Sequence, residues 1–306
     1  MWLVPVIFSP KDLMMNAFRA RICLLLGLLA WSAAPLGAQA PLTINLTVDA
    51  SHAAEKLLHT RMAIPVKPGP LTLYYPKWIP GEHQPAGPVT SVAGLKFSAN
   101  GQTIPWRRDL LDIFTFHLDV PAGVQSLDVE FDYIEGAVDS ASAKLVVVAW
   151  NPDLLYPAGI PVEKIIFKPT LVLPSGWKFG TPLPVERASG EELSFKPVPL
   201  DSLVDSPVIA GEYYRAVDVT PPGEPIHHEI DLAADSAAAL EMTPEMQQGF
   251  TNMVAESESL FGTRHYRDYH FLLTLSDHVA HFGLEHHECN DSRLGERSLL
   301  TPEGRR

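Results

Sequence analysis

The densest group of reactive side chains lies near the end of the sequence, between Asp277 and Asn290, and it contains four histidines. One interpretation is a local metal site from His278, His281 and His286, because imidazole is a common zinc ligand. The spacing lacks the i, i+4 histidine pair that a zinc-binding helix uses. A solvated, histidine-rich loop is therefore the alternative.

Gly283 and Glu285 belong to the same stretch and suggest a different chemistry. A glycine lets another backbone approach closely. Glu285 would place a carboxylate at the edge of a cleft, directly after the apolar run Tyr269–Leu275. The residues alone leave open whether Glu285 binds a ligand or is a solvated loop acid.

The elements that position this stretch are mostly strands. From Pro41 to about Tyr214 the chain contains short runs that alternate apolar and polar residues, the pattern of half-buried strands. Two of them, Phe114–Val120 and Leu127–Tyr133, flank a Pro-Ala-Gly turn and predict a hairpin. Many short strands bounded by proline or glycine predict an antiparallel sandwich.

The pattern changes after the proline-rich segment Pro221–Pro225, a plausible domain boundary. Thr243 and Pro244 predict a helix start, with a hydroxyl N-cap followed by proline at the first helical position. An apolar stripe then leads to Gly262, which predicts the helix end. We predict a strand at Tyr269–Leu275 and a polar tail after His287.

The first 40 residues predict a secretory signal peptide. Arginines precede the apolar run Ile22–Trp31, and Ala38-Gln39-Ala40 is a small-x-small cleavage signal. The true start is then Met14 or Met15. No later segment is long and apolar enough to cross a membrane. We predict export to a periplasm or the cell exterior, with no membrane attachment after cleavage.

Charge and cysteine content limit the possible functions. The net charge of −13 is a poor match for nucleic acid, whose binding depends on positive charge. Removal of the signal would leave one cysteine, Cys289, and so no internal disulfide. We interpret Cys289 as a free thiol.

Two stretches together resemble a known family. Gly283-Leu284-Glu285-His286-His287 resembles the segment before the zinc helix of the glycyl-aminopeptidase family of secreted zinc metallopeptidases. Tyr75-Pro76-Lys77-Trp78-Ile79-Pro80-Gly81-Glu82-His83 is similar to the Trp-x-Pro-Gly element of that family's N-terminal β-domain. The resemblance covers nearly all of the sequence after residue 40. We interpret Trp78 as a core aromatic residue.

The resemblance implies a fold and an activity. The fold would be a mostly β N-terminal antiparallel sandwich domain, residues 41–220. Residues 226–306 would be the incomplete α+β start of a thermolysin-like metallopeptidase domain. The family uses Zn²⁺, acts on peptide substrates and usually carries a C-terminal PDZ domain. By carry-over Glu285 binds the α-amine of the substrate, with Gly283 and His286 beside it.

The sequence departs from the family at the zinc site. The family needs His-Glu-x-x-His on a helix, and neither His228-Glu229 nor His287-Glu288 is followed by the second histidine. No catalytic residue and no metal ligand of this chain can therefore be assigned. We expect a fragment, inactive alone, of an exported aminopeptidase that removes small N-terminal residues, with the truncated second domain leaving Phe271–Leu275 exposed. The alternatives are a non-catalytic secreted β-sandwich that binds peptide or glycan, and an enzyme completed by a second chain.

Overall fold

A computed structural model of the chain describes residues 40–79, 81–137 and 139–301. The alternating runs form strands, as predicted. In chain order the first eleven are β1 (Leu42–Asp49), β2 (Leu57–Pro65), β3 (Gly69–Tyr74), β4 (Val92–Ala99), β5 (Gln102–Ile104), β6 (Trp106–Arg108), β7 (Thr115–Val120), β8 (Ser126–Ile134), β9 (Leu145–Val148), β10 (Tyr156–Pro157) and β11 (Ile165–Val172).

Ten further strands and two α-helices follow. The strands are β12 (Lys178–Gly180), β13 (Val185–Ser189), β14 (Glu192–Phe195), β15 (Val198–Pro199), β16 (Val208–Gly211), β17 (Tyr213–Asp218), β18 (His228–Ala234), β19 (Tyr269–Leu275), β20 (Phe282–Glu285) and β21 (Cys289–Leu294). The helices are α1 (Leu200–Val204) and α2 (Pro244–Phe261). Short 3₁₀ turns lie at Ala53–Glu55, Val89–Ser91, Asn151–Asp153, Val162–Lys164 and Ala237–Leu240.

Two sheets enclose the main core. The large sheet has the order β13-β14-β11-β1-β2-β8-β4-β5, with β15 also on β11, and the small sheet has the order β10-β3-β7-β6. Alternate residues of both sheets, such as Ile44, Phe97 and Phe116, are fully buried in one apolar cluster. The architecture is therefore the predicted sandwich, and its pairing is antiparallel except between β1 and β11, which run parallel.

The predicted hairpin between β7 and β8 is wrong. Both strands exist, but β7 pairs with β3 and β6 of the small sheet, whereas β8 pairs with β2 and β4 of the large sheet. The turn at Pro121–Gly123 therefore carries the chain from one sheet to the other. Alternation fixes which face of each strand is buried, and it leaves the pairing partner undetermined.

The later strands form a mixed sheet of the order β17-β18-β19-β21-β20. One face packs on a three-stranded sheet of β12, β16 and β9, burying a cluster that includes Val147, Ile209, Leu272 and Cys289. Helix α2 and neighbouring residues cover part of the other face through a second cluster, which includes Ile230 and Leu275. Cys289 is a buried free thiol, as predicted.

The predicted exposure of Phe271–Leu275 is wrong for most of that strand. Leu272 and Leu275 are fully buried and Leu273 nearly so, because the three-stranded sheet covers one face and the α2 side covers the other. Only the beginning of β19, at Tyr269 to Phe271, stays half-buried.

Helix α2 begins and ends where its sequence predicts. The Thr243 side chain accepts a hydrogen bond from the backbone N–H of Met246, and Pro244 occupies the first turn. Gly262 adopts the left-handed conformation and donates its N–H to the Glu258 carbonyl. Both ends are thus capped by residues suited to those positions.

The described residues from Pro41 onward form one compact unit. Apart from Ala40, the predicted signal peptide lies outside the described residues. The predicted division between 220 and 226 stays a prediction, and Pro221–Pro225 forms the loop between the paired strands β17 and β18. Within the described part of the chain, no helix combines the length and apolar character needed to cross a membrane.

The α2 cap gives a first testable prediction. Thr243→Ala removes the hydrogen bond to Met246 and should lower the free energy of unfolding by about 1 kcal/mol, measured by urea denaturation. Thr251→Ala is the matched control, since Thr251 lies inside the same helix and bonds the Gln247 carbonyl. Alanine has the higher helix propensity, so the control should be neutral or stabilising. Equal losses in both variants would contradict the capping role.

Candidate functional site

Strand β20 is the free edge of the mixed sheet. It pairs with β21 on one side, and the backbone N–H of His286 donates to the Cys289 carbonyl at 3.0 Å to close the hairpin. Opposed pairs in an antiparallel ladder alternate between hydrogen-bonded and non-bonded. Gly283 and Glu285 fall at the non-bonded positions, so their backbone N–H and C=O groups point away from β21. Among the described residues, these outward groups have no backbone hydrogen-bond partner.

The side chains of β20 alternate between two surroundings. Gly283 and Glu285 are exposed, and they share a face with Ser292 and Asn290 of β21. Glu285 makes no hydrogen bond or ion pair with another described residue. A side chain at Gly283 would meet no atom within 4 Å. A carboxylate thus stands beside open space on the free edge.

His286 lies on the opposite face, with Phe282 and Leu284. Its side chain is 4% exposed, and its Nδ1 lies 2.9 Å from Oδ1 of Asp205. The other carboxylate oxygen of Asp205 accepts the backbone N–H of His287. Of the three predicted site residues, the structure therefore groups Gly283 with Glu285 and separates His286, which instead ties the hairpin to the end of α1.

The loop after Lys77 touches β20 directly. A Cβ added to Gly81 would lie 2.5 Å from Cδ1 of Leu284 and 3.5 Å from the Glu285 carbonyl oxygen. The two sequence elements that resemble one family, far apart in the chain, are therefore in contact. The interpretation of Trp78 as a core residue is wrong, because its side chain is 65% exposed beside this contact.

A cavity of about 220 Å³ lies behind β20, lined by Phe282, Leu284 and residues of the sandwich. Buried Arg293 of β21 forms an ion pair with Asp291 at 2.7 Å and donates to Oγ of Ser140 at 3.0 Å. Its guanidinium carbon also lies 4.2 Å from the centre of the Phe282 ring. Arg293 thus connects the edge strand to the 139–140 segment of the sandwich.

Two buried carboxyl groups lie close to this cavity. Burial, together with the charge of Asp139, raises the pKa of Glu135 to about 7. Burial raises the pKa of Asp153 to about 8, against a hydrogen bond from Thr60 that lowers it. The carboxyl groups of Glu135 and Asp153 are therefore largely uncharged at mildly acidic pH, so fewer unpaired negative charges are buried near the cavity.

A second polar group lies on the face of the mixed sheet that meets the three-stranded sheet. His270 Nδ1 lies 2.6 Å from Oδ2 of Asp231, Tyr214 donates to the same carboxylate, and Glu229 is adjacent. Burial and the Asp231 charge raise the pKa of Glu229. The hydrogen bonds of Asp231 account for its burial without a further ligand.

The described residues do not fit the zinc site of the family suggested by the sequence. Among them, only Glu229, Asp231 and His270 bring three ligand atoms within 4.8 Å of one another, and they lack the His-Glu-x-x-His pattern. The interpretation of His278, His281 and His286 as one metal site also fails. His281 bonds the Ser276 carbonyl and His286 bonds Asp205, and these histidines form no such group.

Two residues that build the site, Asp205 and Arg293, were not identified from the sequence, and Gly81 was identified only as part of the family element. The alternation of Cys289, Asp291 and Arg293 was a strand signal, but buried charged residues made the segment look like a solvated tail. Nothing local to Asp205 indicates that it lies against a residue 81 positions later in the chain.

Comparison with known proteins assigns the sandwich to a peptidase family. The family profile described as the peptidase M61 N-terminal domain matches residues 45–212, more than half of the sequence. No curated protein matches the chain.

A solved structure shares the fold. An aminopeptidase N family protein from Idiomarina loihiensis superposes with a TM-score of 0.70 at 17% identity, over 85% of this chain and 43% of that protein. An M1 zinc metallopeptidase from Deinococcus radiodurans gives a TM-score of 0.48 at 15% identity, over 83% of this chain and 60% of that one. The chain thus spans less than two thirds of either protein.

The contact between Gly81 and β20 can be tested by a matched pair of alanine variants. Gly81 and Gly123 both have φ +82°, but a side chain at Gly123 meets no atom within 4 Å. Gly123→Ala should cost about 1 kcal/mol from left-handed strain alone. Gly81→Ala should cost about 1–3 kcal/mol more, because it also collides with Leu284. Equal urea midpoints for the two variants would show that the loop does not press on β20.

The buried carboxyl of Asp153 predicts a pH dependence. Its folded pKa of about 8 exceeds the ordinary 3.8, so between these pH values the folded chain keeps a proton that the unfolded chain releases. The free energy of unfolding should therefore fall as pH rises, by up to about 1.4 kcal/mol per pH unit. Asp153→Asn should flatten this fall between pH 5 and 7.5 in urea denaturation. Parallel profiles for the two proteins would mean that Asp153 is ionised in the folded state.

Proposed function

The chain belongs to the peptidase M61 family through its N-terminal domain, and we propose that it supplies the β-domain and the amine-binding edge strand of an exported zinc aminopeptidase. The observation that carries this proposal is the position of Glu285. It is an exposed carboxylate on an edge strand whose outward backbone groups have no backbone hydrogen-bond partner among the described residues.

A peptide can add to this edge as a further strand. The outward N–H and C=O groups of Gly283 and Glu285 would pair with the substrate main chain, which is the usual basis of β-augmentation. Gly283 leaves the adjacent face open, so a substrate residue meets no side chain there. Main-chain pairing of this kind binds peptides without selecting their sequence.

Glu285 would bind the free α-amine at the end of that peptide. An ammonium group leaving water needs an anionic hydrogen-bond acceptor, and such charge-assisted bonds are the stronger ones. Glu285 has no competing cation among the described residues. A carboxylate at this point favours peptides whose free N-terminus lies beside Glu285 over chains that continue past it. This preference for free N-termini is the property of an aminopeptidase.

Catalysis would need zinc ligands and a general base from polypeptide that this sequence does not include. When bound, zinc would polarise the scissile carbonyl and lower the pKa of the attacking water. The residues of this chain would bind and orient the peptide. We therefore expect no hydrolysis by this chain alone. The proposal also includes a preference for small N-terminal residues and export directed by the signal peptide.

Peptide binding by the chain itself tests the role of Glu285. By calorimetry, Gly-Ala-Ala amide should bind, and its N-acetyl derivative should bind at least tenfold more weakly because it lacks the ammonium charge. Glu285→Gln should abolish that difference. Glu256→Gln is the control, since it removes an exposed carboxylate from α2. Equal affinity for free and acetylated peptides in the unmodified chain would refute amine recognition.

The zinc part of the proposal has its own test in the gene. The DNA after codon 306, read in all three frames, should encode His-Glu-x-x-His within about forty codons, since anchor and zinc helix lie close together in such enzymes. If that pattern is missing while amine-dependent binding persists, the chain is a non-catalytic peptide-binding protein.

A further inference from the structure

Three polar side chains form a continuous hydrogen-bonded series on the small sheet. Oγ1 of Thr72 lies 3.1 Å from Nδ1 of His117, and Nε2 of His117 lies 2.9 Å from Oδ2 of Asp109. The order is hydroxyl, imidazole and carboxylate, which is the arrangement of a nucleophile, a base and the group that orients the base. All three residues are partly accessible to solvent.

The strand register fixes this arrangement. Thr72 on β3 and Arg107 on β6 lie directly opposite His117 on β7, so their three side chains share one face of the sheet. The adjacent residues Leu73 and Phe116 point to the other face and are fully buried in the sandwich core. Burial of that face therefore keeps the hydroxyl and the imidazole side by side on the outer face.

Asp109 determines which ring nitrogen of His117 carries the proton. Its Oδ1 accepts the backbone N–H groups of Leu111 and Asp112 at 2.8 and 3.1 Å. The hydrogen bond from His117, together with these two backbone bonds, lowers the pKa of Asp109 to about 2. An ionised carboxylate only accepts, so Nε2 of a neutral His117 is the donor and Nδ1 is the acceptor. The Thr72 hydroxyl then donates to Nδ1.

A groove of about 420 Å³ lies along Thr72 and His117, and this volume is within the range of small-molecule sites. Arg107 and Asp119 also line it, and both are exposed. Arg107 makes no hydrogen bond or ion pair with another described residue, so its donors are available to an oxygen that gains negative charge. Since Asp109 and Asp119 offset the charge of Arg107, an uncharged ligand fits this groove better than an anion.

We propose that this groove is an esterase site in which Thr72 takes the acyl group of a small uncharged ester, with His117 as general base and Asp109 as a positioning residue. Oγ1 of Thr72 attacks the ester carbonyl carbon while its proton moves to Nδ1 of His117. The bond from that carbon to the alcohol oxygen breaks, and the alcohol leaves with the proton.

Water completes the reaction. Its oxygen attacks the carbonyl carbon of the acyl-threonine and its proton moves to Nδ1 of His117. The bond to Oγ1 of Thr72 then breaks, Oγ1 regains a proton from His117, and a carboxylic acid is released. The reaction cleaves an ester and uses no residue of the β20 edge, so the inference is independent of the proposed aminopeptidase function.

Hydrolysis of p-nitrophenyl acetate tests the nucleophile. The unmodified chain should release p-nitrophenolate faster than buffer does, and after an acid quench peptide mapping should find the acetyl group on Thr72. Thr72→Val keeps the branched shape and removes the hydroxyl, so it should lower the rate at least about tenfold. Thr72→Ser restores a hydroxyl and should retain the activity. An unchanged rate in Thr72→Val, or acetylation confined to other residues, would overturn the proposal.

A matched histidine control is needed because an isolated imidazole also reacts with such esters. Nδ1 of His59 lies 2.6 Å from Oδ1 of Asp132, and among the described residues this imidazole has no hydroxyl partner. His117→Asn should lower the rate as Thr72→Val does, whereas His59→Asn should leave it unchanged. Equal rates in the two histidine variants would show that hydrolysis does not depend on the groove.

The positioning role of Asp109 has a spectroscopic test. At a pH where the ring is neutral, nitrogen NMR of His117 in the unmodified chain should show the proton on Nε2. Asp109→Asn should shift part of the population to the Nδ1–H tautomer and lower the esterase rate with it. A proton on Nδ1 in the unmodified chain would overturn the proposal, because Thr72 could not donate to that nitrogen. This measurement stands even if the Asp109 variant does not fold.

Discussion

The buried guanidinium of Arg293 constrains the position of the edge strand. Its side chain is 3% exposed, so every donor it directs into the interior needs an acceptor. Asp291 neutralises it, and Ser140 with the Asp139 carbonyl completes its hydrogen bonds. Moving the β20–β21 hairpin away from the sandwich would break the bonds of Arg293 to Ser140 and Asp139, while its ion pair with Asp291 on the same strand would be kept.

Two weaker contacts act in the same direction and fix the strand at its ends. Asp205 holds His286 and the backbone of His287, while the loop at Gly81 presses on Leu284. All three contacts lie on the face of β20 that meets the sandwich. The face of Gly283 and Glu285 is free of them, although the Gly81 loop also approaches the Glu285 carbonyl oxygen at the strand edge. An exposed edge strand normally risks unwanted pairing, and a short strand with a charged residue limits that risk.

Local sequence signals predicted the elements whose formation depends mainly on residues close together in the sequence. Thr243, Pro244 and Gly262 marked both ends of α2, and alternation marked β1, β7, β8 and β11. These local signals could not predict the pairing partners of β7 and β8, because two strands adjacent in sequence can belong to the same sheet or to different sheets. Strand β21 was missed because its charged residues Asp291 and Arg293 are buried. The exposure of Trp78 likewise depends on packing between segments far apart in sequence. The resemblance identified Gly283 and Glu285 as a pair, but only the fold shows that His286 faces the other way.

The two faces of the mixed sheet are covered to different extents. Its face toward the three-stranded sheet is buried along the length of β18 and β19, with Asp231 and His270 satisfying each other there. On the opposite face, among the described residues, the 18-residue helix α2 covers mainly β17, β18 and the end of β19. Since a helix is about 10 Å wide and five strands span about 19 Å, one helix cannot cover this face. The remaining area contains the exposed carboxylate of Glu285. Among the described residues, the exposure of Glu285 therefore follows from the limited part of this face that α2 covers.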